Sequence, residues 1–384
     1  MSNFIFKANL LSSLDSSLRR GAAVRVVAGI AAVSALSACD SDAGSTAAST
    51  ADAGGDTAGA DTTAAGKGYV PFSQANLQNQ LARVAAWRSI ANLHGSKAFS
   101  AADFGQSCGA WSPTATTASD PKKIASLYVE TANLSAKVAA RKDAHSYAAG
   151  AAVGLALDAS ICQAIAAGAQ AGSVAREAVG SIDWHAQVVN KALLHFFYAS
   201  LYNYLVDGSR KGYDEGVGYY GMSLDGTDPS GLAETAAKRD ANCGTTYATQ
   251  IWQRLRDGRA LLDAALKAEG KTGNDDKLSA LTPQLKQLAE EIDGLMLEVF
   301  ALSLGREILG LQKGEEGAVE LVEARMFAAV VRPYMEYRDK EKGTTHAAAL
   351  QALNQDDPSK VDTAAVLAAI KAVWGLDVPQ LCKQ

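Results

Sequence analysis

Between Ser73 and the C-terminus the chain places apolar side chains at three- and four-residue spacing, the periodicity of helices that bury one face. Leu77, Leu81, Val84, Trp87 and Ile90 make one such stripe, and Gly95 follows where the helix should stop. Asp120-Pro121 opens a second segment, with the proline in a first turn where its missing N–H costs nothing; Ile124, Leu127, Leu134 and Val138 share its face. From His145 to Val179 the chain is rich in Ala and Gly and almost uniformly apolar, which predicts a central element that neighbours can approach closely. Asp183 begins a long aromatic helix through Trp184, Phe196, Phe197, Tyr202 and Tyr204, ending at Gly208. The interval 209–230, rich in Gly, Tyr and Asp, reads as a connecting loop. Helices are predicted again over 232–269, 278–312 and 317–339, with a shorter pair from Thr345 and from Val361. Pro283 suits a first turn, whereas Pro333 should kink or break its helix. No segment alternates with period two between turn signals. The expected fold class is therefore all-α, two packed helical bundles of about four helices each, over 67–208 and 231–384.

Ahead of Lys67 the pattern changes twice. Residues 40–66 are almost wholly Ala, Gly, Ser, Thr and Asp, too little apolar surface to offset the entropy of ordering, so 39–66 is predicted to be a disordered linker. As a flexible coil it would reach roughly 30 Å. Before it, Arg19, Arg20 and Arg25 precede the apolar run from Val26 to Leu36, and Leu36-Ser37-Ala38-Cys39 closes that run. A basic segment, a short apolar core and small residues form the order of a secretory signal peptide. The core is shorter than the roughly 20 residues a membrane span takes. Its ending resembles the lipobox of bacterial lipoproteins. That resemblance implies cleavage that removes residues 1–38, lipid on Cys39, and a membrane anchor through the lipid. Asp40 resembles the retention signal of enterobacterial inner-membrane lipoproteins, a rule that varies between bacteria, so the choice of membrane stays open. The expected location is the cell envelope, facing the periplasm or the cell exterior.

Export changes the charge reading. The whole chain carries 36 basic and 41 acidic residues, and loss of 1–38 leaves 32 against 40, a net charge of −8. Five of those acids lie in the linker, which leaves about −3 on the folded part. Such a surface gives no reason to expect nucleic acid as a partner. Cysteine usage agrees with export. Beyond Cys39 the sequence has Cys108, Cys162, Cys243 and Cys382, an even number that allows two disulfides in three connectivities and no C-x-x-C pair.

The run Asp183-Trp184-His185-Ala186-Gln187-Val188-Val189-Asn190-Lys191-Ala192-Leu193, followed by Tyr213-Asp214-Glu215-Gly216-Val217-Gly218-Tyr219-Tyr220-Gly221, resembles segments of imelysin-like exported helical proteins. The resemblance implies a two-bundle helical fold, export, and association with uptake of iron or another metal. The peptidase-like branch of that family carries Gly-x-His-x-x-Glu. Here the third residues after His94, His145, His185, His195 and His346 are Lys97, Ala148, Val188, Tyr198 and Ala349, so the motif is missing.

Two sets of residues are the candidates for chemistry. His185 and His195 lie ten residues apart on one predicted helix, close to three turns, where they can share a face and meet a carboxylate such as Glu298, Glu307 or Glu323. Asp214 and Glu215, with Asp225, Asp228 and the tyrosines of 209–230, offer donors for a hard cation or a sugar-like ligand. A divalent metal held by Asp214, Glu215 and a histidine, with His185 and His195 as the candidates, is the cofactor or cargo that a metal-binding role would take. The reading preferred for these residues is structural: hydrogen-bonded core histidines and a packed connection. Charges inside apolar helices, Glu298, Arg306, Glu307, Glu323 and Arg325, are read as interhelical ion pairs or solvated faces. No Gly-x-Ser-x-Gly elbow, His-Glu-x-x-His pair or phosphate loop is present, so no catalytic residue is assigned. The function expected is that of a lipid-anchored binding or accessory protein, linked to metal acquisition. The alternative is a structural lipoprotein that engages an envelope protein partner and takes no small ligand.

Overall fold

The computed structural model describes residues 68–95, 99–106, 108, 123–141, 153–176, 178–314 and 317–382. The expected signal peptide (1–38), Cys39 and the expected linker (39–66) lie outside them. The described residues form an all-helical fold. Its α-helices are α1 (Gln78–Gly95), α2 (Ile124–Glu130), α3 (Leu134–Ala140), α4 (Val153–Gly168), α5 (Ile182–Leu205), α6 (Arg210–Tyr220), α7 (Gly231–Cys243), α8 (Tyr247–Ala268), α9 (Pro283–Lys313), α10 (Ala318–Lys342), α11 (Thr363–Trp374) and α12 (Val378–Leu381). A 3-10 segment, His346–Asn354, follows α10. Among the described residues the only β pairing is two isolated bridges, Ser209 with Lys277 and Met222 with Pro229. No described helix is long and apolar enough to cross a membrane.

Helix ends follow local chemistry. The Ser181 hydroxyl accepts from the Trp184 N–H at 3.1 Å to start α5, and Ser209 accepts from the Gly212 N–H at 2.9 Å to start α6. Thr282 caps α9 at Leu285 N–H, with Pro283 in the first turn, and Gly314 closes that helix at φ 71°. The predicted helix over 232–269 is two helices, because Gly244 turns the chain left-handed at φ 66° after Cys243. Helix α10 continues through Pro333 instead of breaking there. Between α2 and α3 the non-glycine residues Ala132 and Asn133 take left-handed conformations, and Arg83 Nε donates to the Ala132 carbonyl at 2.9 Å.

The segment 209–230 departs most from its sequence reading: half of it is helix α6. Its glycines serve close packing. A Cβ at Gly218 would sit 2.7 Å from the Gln80 Cβ of α1, and one at Gly216 would sit 3.3 Å from the Tyr204 Cβ of α5. Helix α6 therefore lies against α1 at a distance that leaves no room for a Cβ at Gly218, and tightly against α5 at Gly216.

The centre of the molecule is α5, 18 of whose 24 residues are buried, so it is apolar on all sides. The Ala-rich α4 flanks it and buries one face through Leu157, Ile161, Ala164 and Ile165. Helix α5 also packs on α6 and α10, while α9 pairs with both α8 and α10. The bundle arrangement is broadly the expected one, with a difference in the core. Apolar contacts run without interruption from Tyr69 to Cys382, so the two halves share one interior, with α5 common to both.

Candidate functional site

Asp214 sits on α6 and is fully buried. Its carboxylate accepts from the Tyr69 hydroxyl at 2.7 Å, the Phe72 N–H at 3.2 Å, the Ser73 N–H at 3.0 Å and Asn76 Nδ2 at 2.9 Å. These four donors fix the segment that enters α1. Asn76 and Asn274 exchange further hydrogen bonds at 2.9 and 3.1 Å. Arg210 extends the network to Asp263 and to the Gly273 and Lys271 carbonyls. Asp214 is thus a structural anchor whose lone pairs are already committed.

Glu215 is the next residue on the helix and points elsewhere, since successive residues diverge by about 100°. Burial pushes its carboxyl up, while a hydrogen bond with Tyr204 and the charges of Lys211, Lys137 and Arg83 oppose that shift. Arg141 covers the Tyr204 ring at 4.9 Å. His185 is buried, and burial pushes its imidazole down to about 4, against a hydrogen bond with the Gly180 backbone. Burial likewise pushes His195 down to about 4. Both are neutral at pH 7. Among the described residues no group of three or more His, Cys, Asp or Glu side chains is placed to hold a metal ion. Asp214, Glu215, His185 and His195 are not brought together as one site. Asp225 and Asp228 belong to an exposed turn, where Asp225 accepts from Ser223 and Thr227 and Asp228 pairs with Arg88.

The charges that do converge lie in the seam between α5, α7, α9 and α10. Lys191 Nζ of α5 meets Glu323 Oε2 of α10 at 3.0 Å, both recessed at 15% and 14% exposure, and the ammonium lies 5.3 Å from the centre of the Phe327 ring. Glu307 of α9 is pushed up to about 8, first by burial and then by Glu323 and Glu320, against the pull of Lys191 and Arg239. Arg239 of α7 is pushed down to about 10 by burial, against the attraction of Glu307 and Glu323. Its Nε and Nη1 are buried and bonded to no partner. His94 of α1 lies at the margin, 3.6 Å from Asp183 and within the fields of Glu323 and Lys191. This arrangement sets a cation, a carboxyl whose neutral form burial favours, and an ion pair along one helix seam. It contains no nucleophile paired with a base.

Glu307 and Glu323 were legible as carboxylates for α5, although they meet Lys191 and Arg239 instead of the histidines. The signal for Lys191 was a lysine set between Val188, Val189, Ala192 and Leu193 on an otherwise buried helix. The cysteines pair as Cys108 with Cys162 and Cys243 with Cys382, at Cα separations of 5.4 and 3.8 Å. No protein-family model, curated protein or solved structure matches the chain, and the imelysin-like resemblance rests on its two motifs alone.

Proposed function

We propose that this chain is an exported protein of the cell envelope, tethered through lipid on Cys39, that works as a binding or accessory protein. The observation that carries the reading is the cysteine pairing. Disulfides persist in oxidising compartments, and the two bridges consume every cysteine except Cys39, the one that follows the lipobox-like residues. Each later cysteine thus has a structural use that needs export, and Cys39 is left for the anchor.

Binding draws support from the charges set into the helix seam, Lys191, Arg239, Glu307 and Glu323, because interior charge is costly unless it is paired or used. Iron or another divalent metal is the cargo the imelysin-like resemblance implies. The runner-up, a structural or protein-docking role, has less support. The exposed large apolar side chains among the described residues, Val70, Leu81, Val174, Leu261, Tyr337 and Leu381, lie on separate elements.

Fractionation of cells that express the full chain or Cys39→Ser tests the anchor. The proposal expects the parent chain in the membrane fraction with no free thiol, and release of the variant from the membrane. A cytosolic parent chain with reactive thiols would sink it. Thermal unfolding of the full chain with iron, zinc, copper, calcium or magnesium tests the cargo: a rise in midpoint selective for one metal supports metal acquisition, and no rise with any removes it.

A further inference from the structure

The two disulfides differ in setting. Cys243 and Cys382 are 3% and 2% exposed, inside the shared core, whereas Cys108 and Cys162 lie at its margin and are only partly buried. Cys162 follows Asp158 by one turn of α4, and its Sγ lies 3.9 Å from Asp158 Oδ1. A bridged sulfur has no proton to share, so this contact becomes a hydrogen bond only when Cys162 is a thiol. The same oxygen accepts from the buried Tyr128 hydroxyl of α2 at 2.5 Å, which holds the carboxylate beside the sulfur. An acceptor that serves the thiol and not the disulfide stabilises the reduced form. The segment that carries Cys108 also has holds besides the bridge. The Phe104 ring fills a notch at Gly168 of α4 that leaves no room for a Cβ, the Phe104 carbonyl accepts from the Ala125 N–H at 3.0 Å, and Arg176 Nη1 donates to the Phe99 carbonyl at 3.1 Å.

We propose that the Cys108–Cys162 bridge is a redox-sensitive latch, which a dithiol reductant opens on the folded protein while Cys243–Cys382 stays closed. Thiol–disulfide exchange needs a thiolate to reach a bridge sulfur, so the partly exposed pair is attacked and the core shields the other. One reductant thiolate bonds to a bridge sulfur, and the other cysteine leaves as a thiolate and takes a proton. The reductant's second thiol then displaces the remaining cysteine. The reductant ends as a disulfide, and Cys108 and Cys162 end as thiols that have gained its two electrons and two protons. Opening is local, because Phe104 and Phe99 keep their holds and the second bridge still ties α7 to the C-terminal end of the chain. This inference goes beyond the envelope reading and does not depend on the lipid anchor.

The test equilibrates the full chain, carrying Cys39→Ser so that no fifth thiol can exchange, with stepped ratios of reduced to oxidised dithiothreitol. After an acid quench, free thiols are labelled and each cysteine is read by peptide mass spectrometry, with helical circular dichroism recorded alongside. Cys108 and Cys162 should become labelled together, at a ratio at least about tenfold lower than Cys243 and Cys382, with the helical signal unchanged. Asp158→Asn, a weaker acceptor of the same shape, should raise the ratio needed for the first bridge about threefold and leave the second where it is. Tyr128→Phe, which removes the competing donor from Asp158 Oδ1, should lower that ratio, and this shift decides if Asp158→Asn fails to fold. The proposal is overturned if both bridges open at one ratio, if Cys243–Cys382 opens first, or if Cys108–Cys162 opens only as the helical signal collapses. It is equally overturned if folded Asp158→Asn, or in its place Tyr128→Phe, leaves the ratio unchanged. All four cysteines found as free thiols in the chain isolated from cells would sink the export reading instead.

Discussion

Replacing Asp214 should unlatch the entry to α1, and the four hydrogen bonds it accepts set the size of the effect. Hydrogen bonds to a charged group contribute about 1.5–3 kcal/mol each, so losing all four with no relaxation would cost roughly 6–12 kcal/mol. Relaxation lowers this figure. The Phe72 and Ser73 amides lie at a partly exposed stretch and can turn to water, and Asn76 keeps its bond to Asn274. The Tyr69 hydroxyl, on a residue 3% exposed, has no such outlet. Asp214→Ala should therefore cost about 3–5 kcal/mol. Asp214→Asn keeps the shape but places an amide N–H₂ against donors; the Tyr69 hydroxyl can rotate to accept, whereas the amide facing it cannot, so the cost should be about 2–3 kcal/mol. Urea unfolding of the full chain reads both values from the shift in midpoint at constant slope. Losses below about 1 kcal/mol in both variants would refute the anchor role. A lost response to metal with unchanged stability would instead restore Asp214 as a ligand.

Three further outcomes follow from the same geometry. Glu307 has a folded pKa of about 8 against an ordinary 4.5, so between those values the unfolded chain releases a proton that the folded chain keeps, and stability falls as pH rises across that window. At about 1.36 kcal/mol per unit the bound is near 5 kcal/mol; water reaching the seam should reduce it to about 1–3 kcal/mol, and Glu307→Gln should flatten that slope in unfolding curves taken from pH 5 to 8.5. Reducing the bridges, which span 54 and 139 residues of sequence, should destabilise by at most about 4 and about 5 kcal/mol on the chain-entropy account, measured one at a time with Cys108→Ser/Cys162→Ser and Cys243→Ser/Cys382→Ser; unchanged midpoints would show that the bridges do not form. Gly218→Ala forces its methyl group to within 2.7 Å of Gln80 Cβ and should cost about 1–3 kcal/mol in the same assay, whereas a neutral result would mean that α6 does not lie so close to α1.

Helical periodicity carried the architecture because most elements bury one stripe, as Val84, Trp87 and Ile90 do on α1. Asp183 marked the first turn of α5, whereas the sequence reading begins α9 at Leu278, five residues before its observed start at Pro283. Composition misled at 209–230, since Gly216 and Gly218 look like loop residues until the α5 and α1 surfaces they admit are known. Small residues signal flexibility and close approach alike, and a sequence does not say which. The same ambiguity placed the Ala-rich α4 at the centre, a position that α5 holds with larger side chains. Asp214 was visible as an unusual acid, but its donors lie 138 to 145 residues earlier, so its structural use could not be read locally. Arg239 was the least legible, because its significance is a missing partner, and that depends on which helices surround it.

Intact-mass and N-terminal peptide mass spectrometry of the chain isolated from membranes tests the central claim most directly. The account predicts that residues 1–38 are gone, that Cys39 is the first residue and carries the mass of attached acyl groups, and that the other four cysteines are each two to a bridge. A chain that retains residues 1–38, or begins at an unmodified Cys39 in the soluble fraction, would contradict it.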